Sequence, residues 1–193
     1  MDAHFFNELT RLRREVFPAL SVRGMLVYGR GRHFSSGANI AELLSLYQTA
    51  PSENPAPFLR GNIETFLALE SLPFPVIAVI NGCCLGAGLE LALSCHVRIA
   101  SRHAIFSLPE STYGLLPGCG GTIRLQEVIP FGKALEMILS GRILSADEAY
   151  ENGLVSKLVE KRVSIQTAEM MIAHYSPSPQ RDTITTAAGN TDA

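Results

Sequence analysis

The chain has 193 residues, 47% of them hydrophobic and 18% charged, which suits one globular domain with a real core. A formal net charge of −2 removes any broad electrostatic case for nucleic acid or a membrane surface, and no apolar run approaches the ~20 residues of a membrane span. The N-terminal MDAHFFNELTRLRREV carries acids and no cleavage-site pattern, so no secretory signal is read there and a cytoplasmic setting is expected.

In chain order, residues 1–16 place Phe5, Leu9, Leu12 and Val16 at helical spacing. VRGMLV (22–27) reads as a strand, GRGRHFSSGAN as a loop and IAELLSLYQ as a short helix. TAPSENPAP (49–57), rich in Pro and Ser, reads as a mobile loop. An amphipathic helix is predicted over 58–72, closed by Pro73 and Pro75, and the continuously apolar 76–80 is a strand of the kind buried on both faces. A helix over 87–95 precedes two short strands, VRIAS (97–101) and AIFSL (104–108). PESTYGLLPGCGG is a loop, TIRLQEVI and GKALEMILSG are helices split by Pro130-Phe131, and a short helix over 147–152 takes Ser145 as its cap. LVSKLVE is a last strand, and the small, polar tail from Ser176 is expected to be disordered. Strands in pairs, each pair followed by a helix, point to an α/β chain of repeated β-β-α units.

The four cysteines, Cys83, Cys84, Cys95 and Cys119, form no CxxC pair, so reduced thiols are expected and a structural zinc site is not.

The chemistry concentrates in NGCCLGAGLELA (81–92), where three glycines sit at a strand-to-helix turn. Such a turn can hold a dinucleotide pyrophosphate. Here it lies mid-chain, the helix after it is short, and the acid expected about 20 residues on is Glu110, behind Pro109 in a loop. No Gly-Lys-Ser/Thr occurs, so a phosphate-binding P-loop is excluded as well. The plain alternative is a tight turn whose glycines only let the helix pack on the sheet, but that leaves Glu90 unexplained. Glu90 stands between Leu89 and Leu91 with no Lys or Arg within one turn. A buried charge is costly unless it is paired or keeps its proton, so a raised pKa is expected. Glu110, between IFSLP and STYGLL, also lacks a basic neighbour. Each alone could be a surface or capping glutamate; together they suggest a paired acid/base site.

FSSGANIAEL (34–43), PVIAVINGCCLGAGLELALSC (75–95), ASRHAIFSLPESTYGLLPGCGGTIRL (100–125) and SGRILSADEAYENGLVSKLV (140–159) occur in that order, and with them the chain resembles the crotonase (enoyl-CoA hydratase/isomerase) family. The resemblance implies a ClpP-like spiral of β-β-α units over about 1–165, with 166–193 a short helix remnant and a disordered tail. It also implies an oxyanion hole for a thioester carbonyl from the N–H groups of Ala38 and Ala87. Glu90 and Glu110 would hold one water over the C2–C3 double bond. One carboxylate would take its proton, and the other, or the same water, would protonate C2. Ser36, Gly37, Asn39, Ile40, Gly86, Pro109, Leu116 and Gly118 would border the substrate.

The family pattern also implies a homo-oligomer, a trimer or dimer of trimers, and an acyl-CoA or acyl carrier protein thioester as substrate, with no cofactor or metal. The chain departs from the pattern in four ways. It begins at what corresponds to the family's first helix, and it ends soon after LVSKLVE. Asn39 and Ala41 replace an acid and a basic coenzyme A contact, and His96 replaces a structural aspartate. Isomerisation or decarboxylation on the same fold, and a non-catalytic paralogue acting in assembly, are the competing readings.

Overall fold

The VIAVI run forms the middle of a parallel sheet, and the chain is built outward from it. The computed structural model describes residues 1–41, 56–175 and 182–188. Helix α1 (Ala3–Arg11) runs on through tighter and looser turns to Ala19 and leads into β1 (Val22–Gly29). Helix α2 (Ala56–Glu70), β2 (Val76–Ile80), β3 (Cys83–Leu85) and α3 (Ala87–Leu93) follow. Then come β4 (Val97–Ser101), β5 (Ile105–Ser107), α4 (Gly121–Val128), α5 (Phe131–Ser140), β6 (Leu144–Ser145) and α6 (Ala146–Glu151). The last elements are β7 (Lys157–Val159), α7 (Ser164–Tyr175) and β8 (Asp182–Ala188).

One sheet has the order β7-β4-β2-β1-β8, with every neighbouring pair parallel; the other is β3-β5-β6. Strands β2 and β4 belong to the first sheet, and each is followed at once by a strand of the second, then by a helix. This is the β-β-α repeat of the crotonase spiral. All five residues of β2 are buried. Val76, Ala78 and Ile80 face the larger core, while Ile77 and Val79 face a smaller one with Leu26, Ile99 and Ile172. That alternation is the period of two of a strand covered on both sides.

Helix α7 supplies the second cover, with Ala168 and Ile172 buried against that face. The expected boundary at residue 165 falls inside this helix, whose apolar side completes the smaller core. Residues 182–188, expected in the disordered tail, pair with β1. The run DTITTAA is rich in β-branched residues, which suit a pleated edge. The expected helix IAELLSLYQ beyond Ala41, and the expected loop over 49–55, lie outside the described residues.

Local signals hold elsewhere. Pro130 separates α4 from α5, and Ser145 with Glu148 forms a full capping box on α6. His96 accepts the Val76 N–H at its Nδ1 (2.9 Å), so its other ring nitrogen carries the proton and donates to the Glu70 carbonyl (3.0 Å). It ties the end of α2 to the start of β2, a structural role. Among the described residues no helix is long and apolar enough to cross a membrane.

Candidate active site

The backbone arranges the site before any side chain enters it. Strand β3 ends at Leu85, and Gly86 turns the chain with φ +52°, a conformation that favours glycine. Helix α3 starts at Ala87, so the Ala87 N–H has no intrahelical acceptor. Residues 35–38 run beside β3. The Ser35 N–H donates to the Cys83 carbonyl (3.0 Å) and the Leu85 N–H to the Ser35 carbonyl (3.0 Å). Gly37, at φ +100°, lies against this turn so closely that a Cβ there would sit 2.9 Å from the Leu85 oxygen and 3.6 Å from the Ala87 nitrogen. Among the described residues neither the Ala38 nor the Ala87 N–H has a hydrogen-bond acceptor. Two free donors therefore stand on adjoining segments whose register is set by β-type bonds.

Both amides border a cavity of about 680 Å³, within the range of small-molecule sites. Glu90, one turn along α3, is 1% exposed. Its Oε1 accepts the N–H groups of Cys119 (2.7 Å) and Gly121 (2.8 Å), the latter at the start of α4. Burial raises its pKa, and it stays above the ordinary value although the two N–H groups and Arg124 pull it down. Glu110 opens a 3-10 turn over Pro109–Tyr113. Burial first, with the charge of Glu90 adding, pushes its carboxyl up to about 7. Its Oε2 is buried without a hydrogen-bond partner, and a Cβ at Gly86 would meet its Oε1 at 2.9 Å. The second acid thus lies over the same turn that presents the Ala87 N–H.

Of the predicted site residues, Ser36, Gly37, Ala38, Ile40, Gly86 and Ala87 line the cavity from one side of the sequence, and Glu90, Pro109, Glu110, Leu116 and Gly118 from the other. Asn39 does not line it. The residue is exposed and gives its N–H to the Met1 carbonyl (2.8 Å), because the chain turns outward between Ala38 and Ile40. Sequence reasoning missed Phe6 and Asn62 on the wall. It also missed Arg124, which donates from Nε to Glu70 and from Nη1 to the Cys119 carbonyl. Phe6 carried a signal, since it belongs to the apolar face of α1. Arg124 carried none, because it reaches Glu90's surroundings from 34 positions away. All four cysteines are free thiols.

Comparison with known proteins agrees with this architecture. The family model described as Enoyl-CoA hydratase/isomerase matches residues 1–187. A "Probable enoyl-CoA hydratase" of Bacillus subtilis is 38% identical over 182 residues, which is 93% of this chain and 69% of that protein. The "Fatty acid oxidation complex subunit alpha" of Shewanella loihica is 40% identical over 182 residues, and the chain spans only 25% of its length. Among solved structures, an enoyl-CoA hydratase from Bacillus anthracis superposes with a TM-score of 0.77 at 33% identity, covering 90% of this chain and 66% of that one. A putative enoyl-CoA hydratase/isomerase from Mycobacterium abscessus does so with a TM-score of 0.83 at 26% identity, covering 91% and 68%. With the match running through both glycine turns and both glutamates, the chain belongs to the enoyl-CoA hydratase/isomerase family of enzymes.

Proposed function

We propose that this chain adds water across the C2–C3 double bond of a 2-enoyl thioester. The observation that carries the reading is the pairing of two N–H groups without acceptors among the described residues, Ala38 and Ala87, with a buried carboxyl, Glu90, and a half-buried one, Glu110, on one cavity wall. The thioester oxygen accepts both N–H groups. Water attacks C3 and loses a proton to Glu90, while the π electrons of C2–C3 move toward the thioester oxygen. The two amides stabilise that enolate, each contributing on the order of 3–4 kcal/mol in sites of this type. Glu110, whose carboxyl holds a proton up to about pH 7, then protonates C2. The product is a 3-hydroxyacyl thioester, and the proton on Glu90 returns to Glu110 through the next water. The step balances without redox or metal chemistry.

Glu90 takes the base role because two backbone N–H groups and Arg124 favour its anion. Glu110 has no such partners at Oε2, which favours the protonated acid. Loss of absorbance of crotonyl-CoA tests the reading. The wild type should turn it over, with Glu90→Gln and Glu110→Gln each slower by ~10²–10⁴-fold. A wild type inactive on every enoyl-CoA and enoyl carrier-protein substrate refutes it. A 3-enoyl product in place of the hydroxy compound replaces hydration with isomerisation.

The same proposal includes a cytoplasmic setting, in keeping with four free thiols, and a homo-oligomer. Phe131, Leu135 and Leu139 form an exposed stripe along α5, 63%, 41% and 64% accessible, which favours a covering protomer. Light scattering on the eluted protein reads the assembly directly.

A further inference from the structure

Helix α2 buries one stripe. At the spacing i, i+3, i+4, i+7 it presents Asn62, Thr65, Phe66 and Leu69, all buried. Phe66 and Leu69 pack in the main core. The Thr65 hydroxyl is satisfied, donating to the Gly61 carbonyl at 2.8 Å. Asn62 differs. It is 4% exposed, yet among the described residues its Nδ2 has no hydrogen-bond partner.

Asparagine is a poor residue for the interior of a helix, and burying an amide without a partner costs free energy that a leucine at this position would not cost. The unpartnered amide is also a wall residue of the site's own cavity, together with Phe6, Ile40 and Leu116. A buried donor that lacks a protein partner and faces a ligand cavity is satisfied either by water or by the ligand.

We propose that Asn62 forms a polar subsite that selects thioesters whose acyl chain carries a neutral oxygen, a hydroxyl or an oxo group. This rests on the thioester reading above. The donor on Asn62 calls for an acceptor atom on the ligand. The charge around it argues against a carboxylate, since the ionisable lining residues among those described are Glu90, Glu110, Tyr113 and Cys119, and none is a cation. An acyl chain without oxygen would leave the buried amide stranded or hydrated on the cavity wall. Sites built to bond a polar group discriminate against ligands that lack it, because their own polar atoms are then left unpaired.

Calorimetric titration of the full chain tests this without requiring turnover. The probes are hexanoyl-CoA against ω-hydroxyhexanoyl-CoA and octanoyl-CoA against ω-hydroxyoctanoyl-CoA, each pair on the wild type and on Asn62→Leu. The wild type should bind the oxygenated member of at least one pair on the order of ten- to a hundred-fold more tightly. Asn62→Leu should cancel that preference, chiefly by tightening the plain chain. If Asn62→Leu does not fold, as judged by its melting transition, Asn62→Ala serves, and the preference should again vanish.

Equal affinities within both pairs on the wild type overturn the subsite and mean that a held water satisfies the amide. A preference that survives unchanged in the variants overturns it too. The two readings separate cleanly. A wild type that hydrates crotonyl-CoA but shows no preference loses the subsite alone, whereas one that binds no acyl thioester loses both.

Discussion

Replacing Glu90 by glutamine and by alanine separates its two tasks. Its Oε1 is the acceptor for both the Cys119 and the Gly121 N–H groups, and these donors are buried. Glutamine keeps an oxygen at that position, so both bonds survive and only the charge is lost. Alanine removes the acceptor and strands two donors. An unsatisfied buried donor costs about 1–3 kcal/mol, so two set an upper range of about 2–6 kcal/mol. Water entering from the adjoining cavity would recover part of this, and alanine also removes a carboxyl that burial disfavours. A net loss of about 2–4 kcal/mol relative to glutamine is expected. Urea unfolding at neutral pH measures the difference, with crotonyl-CoA turnover measured on the same samples.

Both variants should lose ~10²–10⁴ in rate; only alanine should unfold early. The sign with pH follows from the raised pKa of Glu90 in the folded state. Below its ordinary value of 4.5 the carboxyl is neutral folded or unfolded, and as the pH rises through the folded pKa the wild type loses stability relative to Glu90→Gln. Equal midpoints for the glutamine and alanine variants would show that Glu90 is not the acceptor anchoring the 118–121 loop. Full activity in Glu90→Gln would remove it as the base.

Glu110→Gln should abolish the basic limb of the rate profile. In the wild type kcat/KM should fall as the pH rises through an apparent value of about 7, because the acid that protonates C2 is then lost. Wild-type stability should likewise decline relative to that variant between pH 4.5 and about 7; parallel pH curves for the two proteins would contradict this. Gly86→Ala should cost about 1–2 kcal/mol from the left-handed φ alone, and should lower kcat more than the melting temperature, since the new Cβ meets the Glu110 Oε1 at 2.9 Å. Arg124→Lys should lose the simultaneous hold on Glu70 and the Cys119 carbonyl, costing about 1–3 kcal/mol. It should also lower kcat, read by steady-state kinetics, because it disturbs the loop whose Cys119 and Gly121 N–H groups hold Glu90.

Much of this was legible along the chain because local chemistry decided it. A run of five apolar residues between Pro75 and Asn81 has few alternatives to a strand covered on both faces, and Pro130 ends a helix wherever it stands. A carboxyl flanked by Leu89 and Leu91 on a short apolar helix is buried almost by construction. What escaped was long-range. Arg124 meets the Glu70 carboxylate only because α4 packs beside the end of α2, 54 positions back along the chain. The buried, unpartnered state of Asn62 is a matter of tertiary packing, which no helical periodicity encodes. Asn39 was misplaced for the opposite reason: its neighbours Ala38 and Ile40 do line the cavity, and in irregular backbone no fixed period says which side of a segment faces in.

The two glycine turns carry complementary parts of the chemistry. Gly86 precedes α3 and Gly120 precedes α4, at φ +52° and +96°. The first helix start offers the Ala87 N–H to the cavity, and the second offers the Gly121 N–H to Glu90, itself on the first helix. One set of backbone donors thus borders the cavity while the other holds the carboxyl proposed as the base. Added side chains at the glycines would strike this arrangement directly. A Cβ at Gly120 would meet the Arg124 Nη1, and one at Gly121 would reach within 2.9 Å of the Glu90 Cγ. The glycines therefore do more than turn the chain. They let two helix starts and two carboxyls share a space that side chains at these positions would fill; burial in that space raises the pKa of both acids, against the two amide donors and Arg124 at Glu90 and with the charge of Glu90 adding at Glu110.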